Sequence, residues 1–134
     1  MNKILIAVEI ILIAFLAGCG DKSEYVVDLK NELPDGKGIM TYEDGSKYDG
    51  EWKEGQRYGK GTLTNEDGAR YEGEWKNGEM DGTGTFTWSN GDKYEGDWKK
   101  GKKHGQGTIF YQNESKLEGE FKGDSPWDTT LYDK

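Results

Sequence analysis

The sequence predicts an all-β fold, a single-layer antiparallel β-meander built from repeated 23-residue hairpins. Two observations predict it. Tyrosine, tryptophan and glycine recur at a step of 23 residues, and the stretches around them alternate strictly in side-chain character. Alternation with period two is typical of β-strands, whose successive side chains point to opposite faces. The 17 aromatic residues also argue against a disordered chain, although only 32% of the residues are hydrophobic.

The repeat is defined by columns of tyrosine, glycine and tryptophan. The three copies over residues 48–116 open with Y-x-G-x-W, continue to a further glycine and end the motif with a G-x-G pair. In the last copy, Leu117 and Phe121 take the tyrosine and tryptophan positions. The aromatic residues of the full copies are Tyr48, Trp52, Tyr71, Trp75, Tyr94 and Trp98, and the repeat glycines are Gly50, Gly59, Gly61, Gly73, Gly82, Gly84, Gly96, Gly105 and Gly107.

The first and last copies diverge from the repeat motif. Tyr25 keeps the tyrosine position of the first copy, whereas Asp128 and Thr130 replace the paired glycines of the last one. Atypical end copies are expected in repeat proteins, because the ends face solvent. The predicted repeat domain spans residues 25–134, with units at 25–47, 48–70, 71–93 and 94–116 and a partial unit at 117–134.

Each unit contains two alternating runs that predict two strands. In the third unit, Tyr71, Gly73 and Trp75 share one face of the first strand, and Gly82 and Gly84 share that face of the second. Pairs such as Asp67-Gly68, between units, predict tight hairpin turns, and the link within a unit is predicted to be longer. The result is a meander of about ten short strands, each paired with its sequence neighbours.

The glycines are explained by the aromatic residues beside them. Two glycines on the neighbouring strand leave bare backbone, over which a large ring can lie flat against the sheet. Burying a ring contributes about 2–3 kcal/mol, more than the roughly 0.5–1 kcal/mol that a glycine costs in a strand. The aromatic face is therefore predicted to serve as the core, with binding by exposed rings as the alternative. The opposite face carries Glu and Thr, and its carboxylates (Glu51, Glu72, Glu74, Glu95 and Asp97) are interpreted as a solvated surface.

The unit Y-x-G-x-W-x-x-G-x-x-x-G-x-G resembles the MORN (membrane occupation and recognition nexus) repeat. The resemblance covers nearly all of the chain after residue 24. In eukaryotes such repeats accompany phosphatidylinositol phosphate kinases, junctional membrane proteins and lysine methyltransferases as scaffolding or interaction segments. The resemblance therefore implies an interaction module, and we expect no kinase or methyltransferase activity from the repeats themselves.

The N-terminus predicts a lipoprotein signal peptide over residues 1–18. Lys3 precedes an apolar run over 4–15, which is interrupted by Glu9 and is shorter than the roughly 20 residues that span a bilayer. Leu16, Ala17, Gly18 and Cys19 resemble the lipobox of bacterial lipoproteins, which implies cleavage before Cys19 and a lipid anchor on it. Residues 19–24 would then be a linker; the alternative is an uncleaved anchor with an ordinary thiol.

The composition and the side-chain inventory argue against several functions. With a net charge of -8, the chain would be repelled by nucleic-acid phosphates. His104 is the only histidine, and no serine lies beside a candidate base, so we expect no catalytic site and no enzyme activity. Neither a metal nor a cofactor is predicted.

Three functional hypotheses remain at this point. The first is a non-enzymatic scaffold at the bacterial cell envelope, membrane-anchored through Cys19, with an envelope protein as its partner. The second is a cell-wall glycan or phospholipid-headgroup binder, using the six repeat tyrosines and tryptophans or the basic segment Lys99–His104. A small envelope hydrolase is the third.

Overall fold

The computed structural model describes residues 29–30 and 33–134 of the 134-residue chain. The signal peptide, the lipobox, Cys19 and Tyr25 lie outside the described residues, so their assignments stay predictions. Within the described part, no helix has the length and apolar character needed to cross a membrane.

The described residues form strands joined by short turns, and the predicted fold class is confirmed. Nine strands make one open sheet in which every strand pairs antiparallel with its sequence neighbours, and β1 and β2 form a small separate hairpin. The strands are β1 (Leu29–Lys30), β2 (Leu33–Pro34), β3 (Gly36–Thr41), β4 (Lys47–Lys53), β5 (Gln56–Thr64), β6 (Arg70–Lys76), β7 (Glu79–Thr87), β8 (Lys93–Lys99), β9 (Lys102–Phe110), β10 (Lys116–Lys122) and β11 (Ser125–Tyr132).

The two kinds of turn are the reverse of those predicted. Within a unit, Asn77 and Gly78 alone link β6 to β7, and both have positive φ (51° and 80°), as a two-residue type I′ hairpin requires. Between units, residues 65–69 link β5 to β6, and the Gly68 N–H donates to the Asn65 carbonyl at 3.0 Å. That is a type I turn followed by a glycine with positive φ. Asp-Gly suits either turn, so the dipeptide alone did not fix the loop length.

The within-unit turns also bind the preceding unit. The Gly78 N–H donates to the Arg57 carbonyl at 3.0 Å, and the Gly101 N–H donates to the Met80 carbonyl at 2.9 Å. Gly55 and Asp124 make the corresponding bonds, to Pro34 and Lys103. Neighbouring units are thus joined at their turns as well as along their strands.

The core is a continuous line of aromatic rings on one face of the sheet. Tyrosines and tryptophans alternate along it, and every contact is edge-to-face, an arrangement worth about 0.5–1.5 kcal/mol per pair beyond the buried area. The ring centroids are 5.0 Å apart for Trp52–Tyr48, 5.3 Å for Tyr48–Trp75, 5.1 Å for Trp75–Tyr71, 5.3 Å for Tyr71–Trp98, 5.2 Å for Trp98–Tyr94 and 5.2 Å for Tyr94–Phe121.

The tyrosine rings lie on bare glycine backbone, in an arrangement that we call the ring slot. Gly73 and Gly84 face each other across β6 and β7. A Cβ on Gly84 would lie 2.5 Å from Cζ of Tyr71, and a Cβ on Gly73 would lie 2.5 Å from the Tyr71 hydroxyl. The same geometry recurs for Tyr48 over Gly50 and Gly61 and for Tyr94 over Gly96 and Gly107.

The polar atoms of these rings are satisfied by the backbone. The Tyr71 hydroxyl donates to the Glu74 carbonyl at 3.0 Å, and Trp75 Nε1 donates to the Gly61 carbonyl at 3.0 Å. The other full units repeat both bonds with their own residues (Tyr48 to Glu51, Tyr94 to Asp97, Trp52 to Gly38 and Trp98 to Gly84). Buried hydroxyl and indole groups therefore avoid the cost of losing water.

The first glycine of each pair does not belong to the ring slot, contrary to the prediction. Gly82 has φ = 108°, and a Cβ there would point at the carboxylate of Glu74 on the opposite face. The reason is a β-bulge. The register shifts between Gly73 and Trp75, so strict alternation ends before Gly82. Gly59 and Gly105 behave in the same way, facing Glu51 and Asp97.

The last unit is shorter by one residue at this bulge. Counting by 23 placed Asp128 and Thr130 at the paired-glycine positions, but Thr129 is the residue opposite Gly119. Leu117 stands where the other units have tyrosine, so no ring covers this position. A side chain replaces glycine where the ring is missing, which supports the ring as the reason for the glycine elsewhere.

The ring slot predicts a coupled pair of substitutions. Gly84→Ala should lower the free energy of unfolding by about 1–3 kcal/mol, because its Cβ overlaps the Tyr71 ring. In a Tyr71→Leu background the same substitution should cost clearly less, as in the last unit. Urea denaturation of the four variants in a double-mutant cycle measures the coupling. Equal costs in both backgrounds would show that the ring does not demand the glycine.

Candidate interaction surface

The six repeat aromatic residues are buried. Tyr48, Trp52, Tyr71, Trp75, Tyr94 and Trp98 are each at most 6% exposed. Stacking on a sugar needs an exposed ring face, and these side chains offer none. Glycan stacking on these residues therefore loses its structural basis.

A second layer of apolar side chains, half-buried, packs on the core on the same side. We call this layer the apolar surface. In the central units it includes Leu63 and Phe86, which flank Tyr71 in the register of β5, β6 and β7. Its members are Met40, Tyr42, Leu63, Met80, Phe86, Trp88, Tyr111 and Leu117.

A depression of about 230 Å³ opens in the middle of the apolar surface. Leu63, Met80 and Phe86 provide apolar walls, and Arg57 lies among the lining residues. The Arg57 guanidinium lies 4.4 Å from the Trp75 ring centroid, and its Nη2 donates to the Gly78 carbonyl at 2.7 Å. The depression thus combines apolar walls with a fixed cation.

The position of Arg57 varies from unit to unit, with Met80 and Lys103 as its equivalents. Lys103 belongs to the basic segment Lys99–His104, which the sequence offers as a candidate for phospholipid-headgroup contact. Its Nζ instead lies 5.2 Å from the Trp88 ring centroid and 5.8 Å from that of Tyr94. Lys103 is half-buried over the rings, and Lys99, Lys100 and Lys102 are the exposed lysines of that cluster.

The opposite face of the sheet is polar and carries an open groove of about 620 Å³ across β5 to β8. Glu72 and Glu95 are exposed there, and each pairs with a cation of its own strand, Arg70 at 2.8 Å and Lys93 at 2.6 Å. Such exposed pairs contribute little, typically below about 1 kcal/mol. These two carboxylates match the interpretation as a solvated surface.

Three other carboxylates of this face are structural, which corrects that interpretation. The bulge leaves the Thr83 N–H without a strand partner, and Glu74 Oε2 accepts from it at 2.6 Å. Its Oε2 also accepts from the Thr83 hydroxyl at 3.0 Å. Glu51 and Asp97 accept in the same way from the N–H groups of Lys60 and Gln106.

The pKa values of the bulge carboxylate and of the ring hydroxyls are shifted in opposite directions on the two faces. The hydrogen bonds from Thr83 lower the pKa of Glu74, because they favour its charged form. Burial raises the pKa of Tyr94 to about 12, and it raises the pKa of Tyr71 as well. The ring hydroxyls therefore stay protonated donors at neutral pH.

The repeats of this chain match the model of a known protein family. A MORN-repeat model matches residues 29–47, 48–70, 71–93 and 94–116, about two thirds of the chain. The chain belongs to the MORN-repeat family. No curated protein matches this MORN chain.

The MORN units that the structure describes bring no set of metal-ligating side chains together. In residues 29–30 and 33–134, no three His, Cys, Asp or Glu side chains are placed to hold a metal ion. His104 is exposed in β9.

The repeated positions of the sequence do not predict the apolar surface. The signal was available in the positions that vary among the MORN units. Tyr42, Asn65, Trp88 and Tyr111 stand at one column, whereas the core column keeps Tyr48, Tyr71 and Tyr94 unchanged. Variation beside a constant core marks positions that packing does not dictate.

The bulge carboxylate gives a pH dependence that can be measured. Because the folded-state pKa of Glu74 is lowered, its contribution is present above the unfolded pKa, about 4.3, and is lost as pH falls through the folded-state value. Glu74→Gln should therefore destabilise the protein at pH 7, by no more than about 1 kcal/mol because the group is largely solvated. The difference from wild type should shrink as pH falls below the unfolded-state pKa, because Glu74 becomes protonated in both states.

Urea denaturation at pH 7 and pH 3 checks this expectation, with Glu72→Gln as the matched control. Glu72 accepts from no backbone N–H in the described residues, so its variant should track wild type at both pH values. If the two variants showed the same pH dependence, the bulge role of Glu74 would be wrong.

Proposed function

We propose that this MORN-repeat protein is a non-enzymatic interaction module, anchored by lipid on Cys19 and acting as a scaffold at the bacterial cell envelope. The observation that carries the proposal is the apolar surface, which remains half-exposed after the core tyrosines and tryptophans are buried. Contiguous exposed apolar patches commonly mark interaction sites.

The partner proposed for this surface is another envelope protein. The depression offers the apolar walls of Leu63, Met80 and Phe86, and the Arg57 cation at its side suits an apolar group next to a carboxylate. Interface centres are enriched in aromatic residues, methionine and arginine, which matches this set. The depression is open to solvent, whereas small-molecule sites usually enclose most of their ligand.

The membrane anchor is proposed from the sequence. Leu16-Ala17-Gly18-Cys19 follows a short apolar run, and the repeat motif begins within a few residues of it. A cleaved and acylated Cys19 would hold the sheet close to the membrane and leave both faces accessible to partners. Lipid acyl chains supply membrane affinity at about 0.8 kcal/mol per buried CH₂.

A phospholipid-headgroup contact is the second candidate. Lys99, Lys100 and Lys102 are exposed and surround one within-unit turn, and each basic residue near an anionic surface adds about 1 kcal/mol. The net charge of -8 opposes such binding for the molecule as a whole. We therefore rank the protein partner first.

The apolar surface can be altered without disturbing the repeat. Met80→Lys gives the third unit the same residue that the fourth unit has at the equivalent position, Lys103. The fold should therefore persist. We expect the substitution to weaken or abolish cross-linking of the full-length protein to its envelope partner. Cross-linking in intact cells followed by affinity purification and mass spectrometry measures the yield.

The matched control lies on the polar face. Thr83→Lys introduces the same charge at a position where the second unit has Lys60, and it should leave the partner yield unchanged. Loss of the partner in Thr83→Lys but not in Met80→Lys would assign the binding to the polar groove. Specific partners that neither substitution affects would contradict the apolar surface.

The anchor makes its own prediction. Cys19→Ala should leave an unprocessed precursor, because both cleavage and acylation require the cysteine thiol. Metabolic labelling with a fatty-acid analogue and gel mobility measure the outcome. A variant that is still labelled and matures with wild-type mobility would contradict the lipobox assignment.

A further inference from the structure

The C-terminal strand β11 is an open edge of the sheet. It pairs with β10 on one side, and no described residue pairs with its other side. The unpaired N–H and C=O groups of an edge strand form a template for another strand. Natural edges are usually blunted by lysine, by proline, by bulges or by a covering element.

The last part of β11 carries none of these protections. Pro126 and the register shift at Glu120/Phe121 interrupt its first half. Residues 129–132 continue in regular register with the sequence Thr-Thr-Leu-Tyr, and Asp128 is the one charged residue of the strand. β-Branched and aromatic residues favour strand pairing.

Three of the five large hydrophobic side chains that are exposed in the described residues lie in β11. Trp127 is 66% exposed, Leu131 55% and Tyr132 47%, whereas Phe121 beside them on β10 is fully buried. Two lysines of β10 hold the rings, since Lys122 Nζ lies 3.9 Å from the Trp127 ring centroid and Lys116 Nζ lies 4.7 Å from that of Tyr132. The rings stand at the edge itself.

We propose that β11 pairs antiparallel with β11 of a second copy of this chain, joining two sheets into one about a two-fold axis. Each copy presents the same segment, so apolar side chains meet apolar side chains and the two Asp128 carboxylates are the only charges of the paired strands. A two-fold contact closes on itself, and such dimers are the commonest symmetric assembly.

The topology disfavours the other way of joining two copies. β3 and β11 are separated by eight antiparallel steps and therefore run in the same direction. Head-to-tail stacking would pair them as parallel strands, which are slightly less stable per residue. It would also leave open ends and produce filaments. Pairing of β11 with itself is antiparallel and finite.

The dimer is expected to be weak and sensitive to salt. One short strand edge buries less than the roughly 1,200 Å² of a stable interface. Each copy carries a net charge of -8, so the copies repel each other at low ionic strength. Association should therefore strengthen as salt screens this repulsion, opposite to the behaviour of an interface held by ion pairs.

Site-specific photocross-linking of the full-length protein in detergent tests the proposal. A benzophenone amino acid is placed at position 131, or at position 33 as a control, because Leu33 is a similarly exposed leucine outside β11. We expect a dimer band from position 131 only, stronger at high salt, with the cross-link mapping to residues 125–132 of the other copy. Crowding in a micelle would produce the band from both positions.

Sedimentation velocity adds a measurement that does not depend on the cross-linker. Leu131→Lys should abolish the dimer, since a lysine blunts the edge, whereas Leu33→Lys should leave it intact. Both side chains are exposed, so neither substitution should unfold the sheet. Cross-links to the β3 segment, to a different protein in cell extracts, or no salt-strengthened dimer at all would overturn the proposal.

Discussion

A one-layer sheet has to create its own core, and the contact between a tyrosine ring and bare glycine backbone achieves this here. A ring that lies on Gly73 and Gly84 touches the sheet from above and meets a tryptophan edge on either side. The neighbouring unit supplies the next ring, so burial is completed only when the copies stand side by side. The need for large rings and the need for glycines are one requirement.

The same requirement organises the polar groups and leaves the functional positions free. The bulge beside each glycine pair exposes one N–H, which donates a hydrogen bond to a carboxylate such as that of Glu74. From the other face, the ring hydroxyl of Tyr71 donates to the backbone carbonyl of Glu74. One residue therefore serves both faces of the sheet. The packing constraint falls on columns that repeat, and the half-buried columns around them vary from Arg57 to Met80 to Lys103. Variation there alters what the surface can bind without altering how it folds.

Much of this fold can be predicted from the sequence, because period-two alternation and the step of 23 residues both survive into three dimensions. The ring slot was predictable from the same pattern at Tyr71, Gly73 and Gly84. The predictions that were wrong concern features that depend on the exact number of residues. These are the loop length around Asp67-Gly68, the orientation of Gly82 after a bulge, and the register of Thr129. A bulge resets the alternation without leaving a mark in composition, so counting along the chain misplaces the residues after it. The repeated columns do not predict the apolar surface, because its half-buried side chains stand at columns that vary among the units.

The hydrogen bond from each within-unit turn to the unit before it has a consequence for how such a chain can change in length. Gly78 contacts Arg57 and Gly101 contacts Met80, so every junction is of the same kind and involves adjacent copies only. Duplicating or deleting one whole 23-residue copy would preserve each junction, and stability would change by roughly one copy and one interface. The mean separation along the chain between touching residues would stay nearly constant as the sheet grew. Evolution can therefore lengthen the sheet, and add surface positions for side chains, without a change of fold.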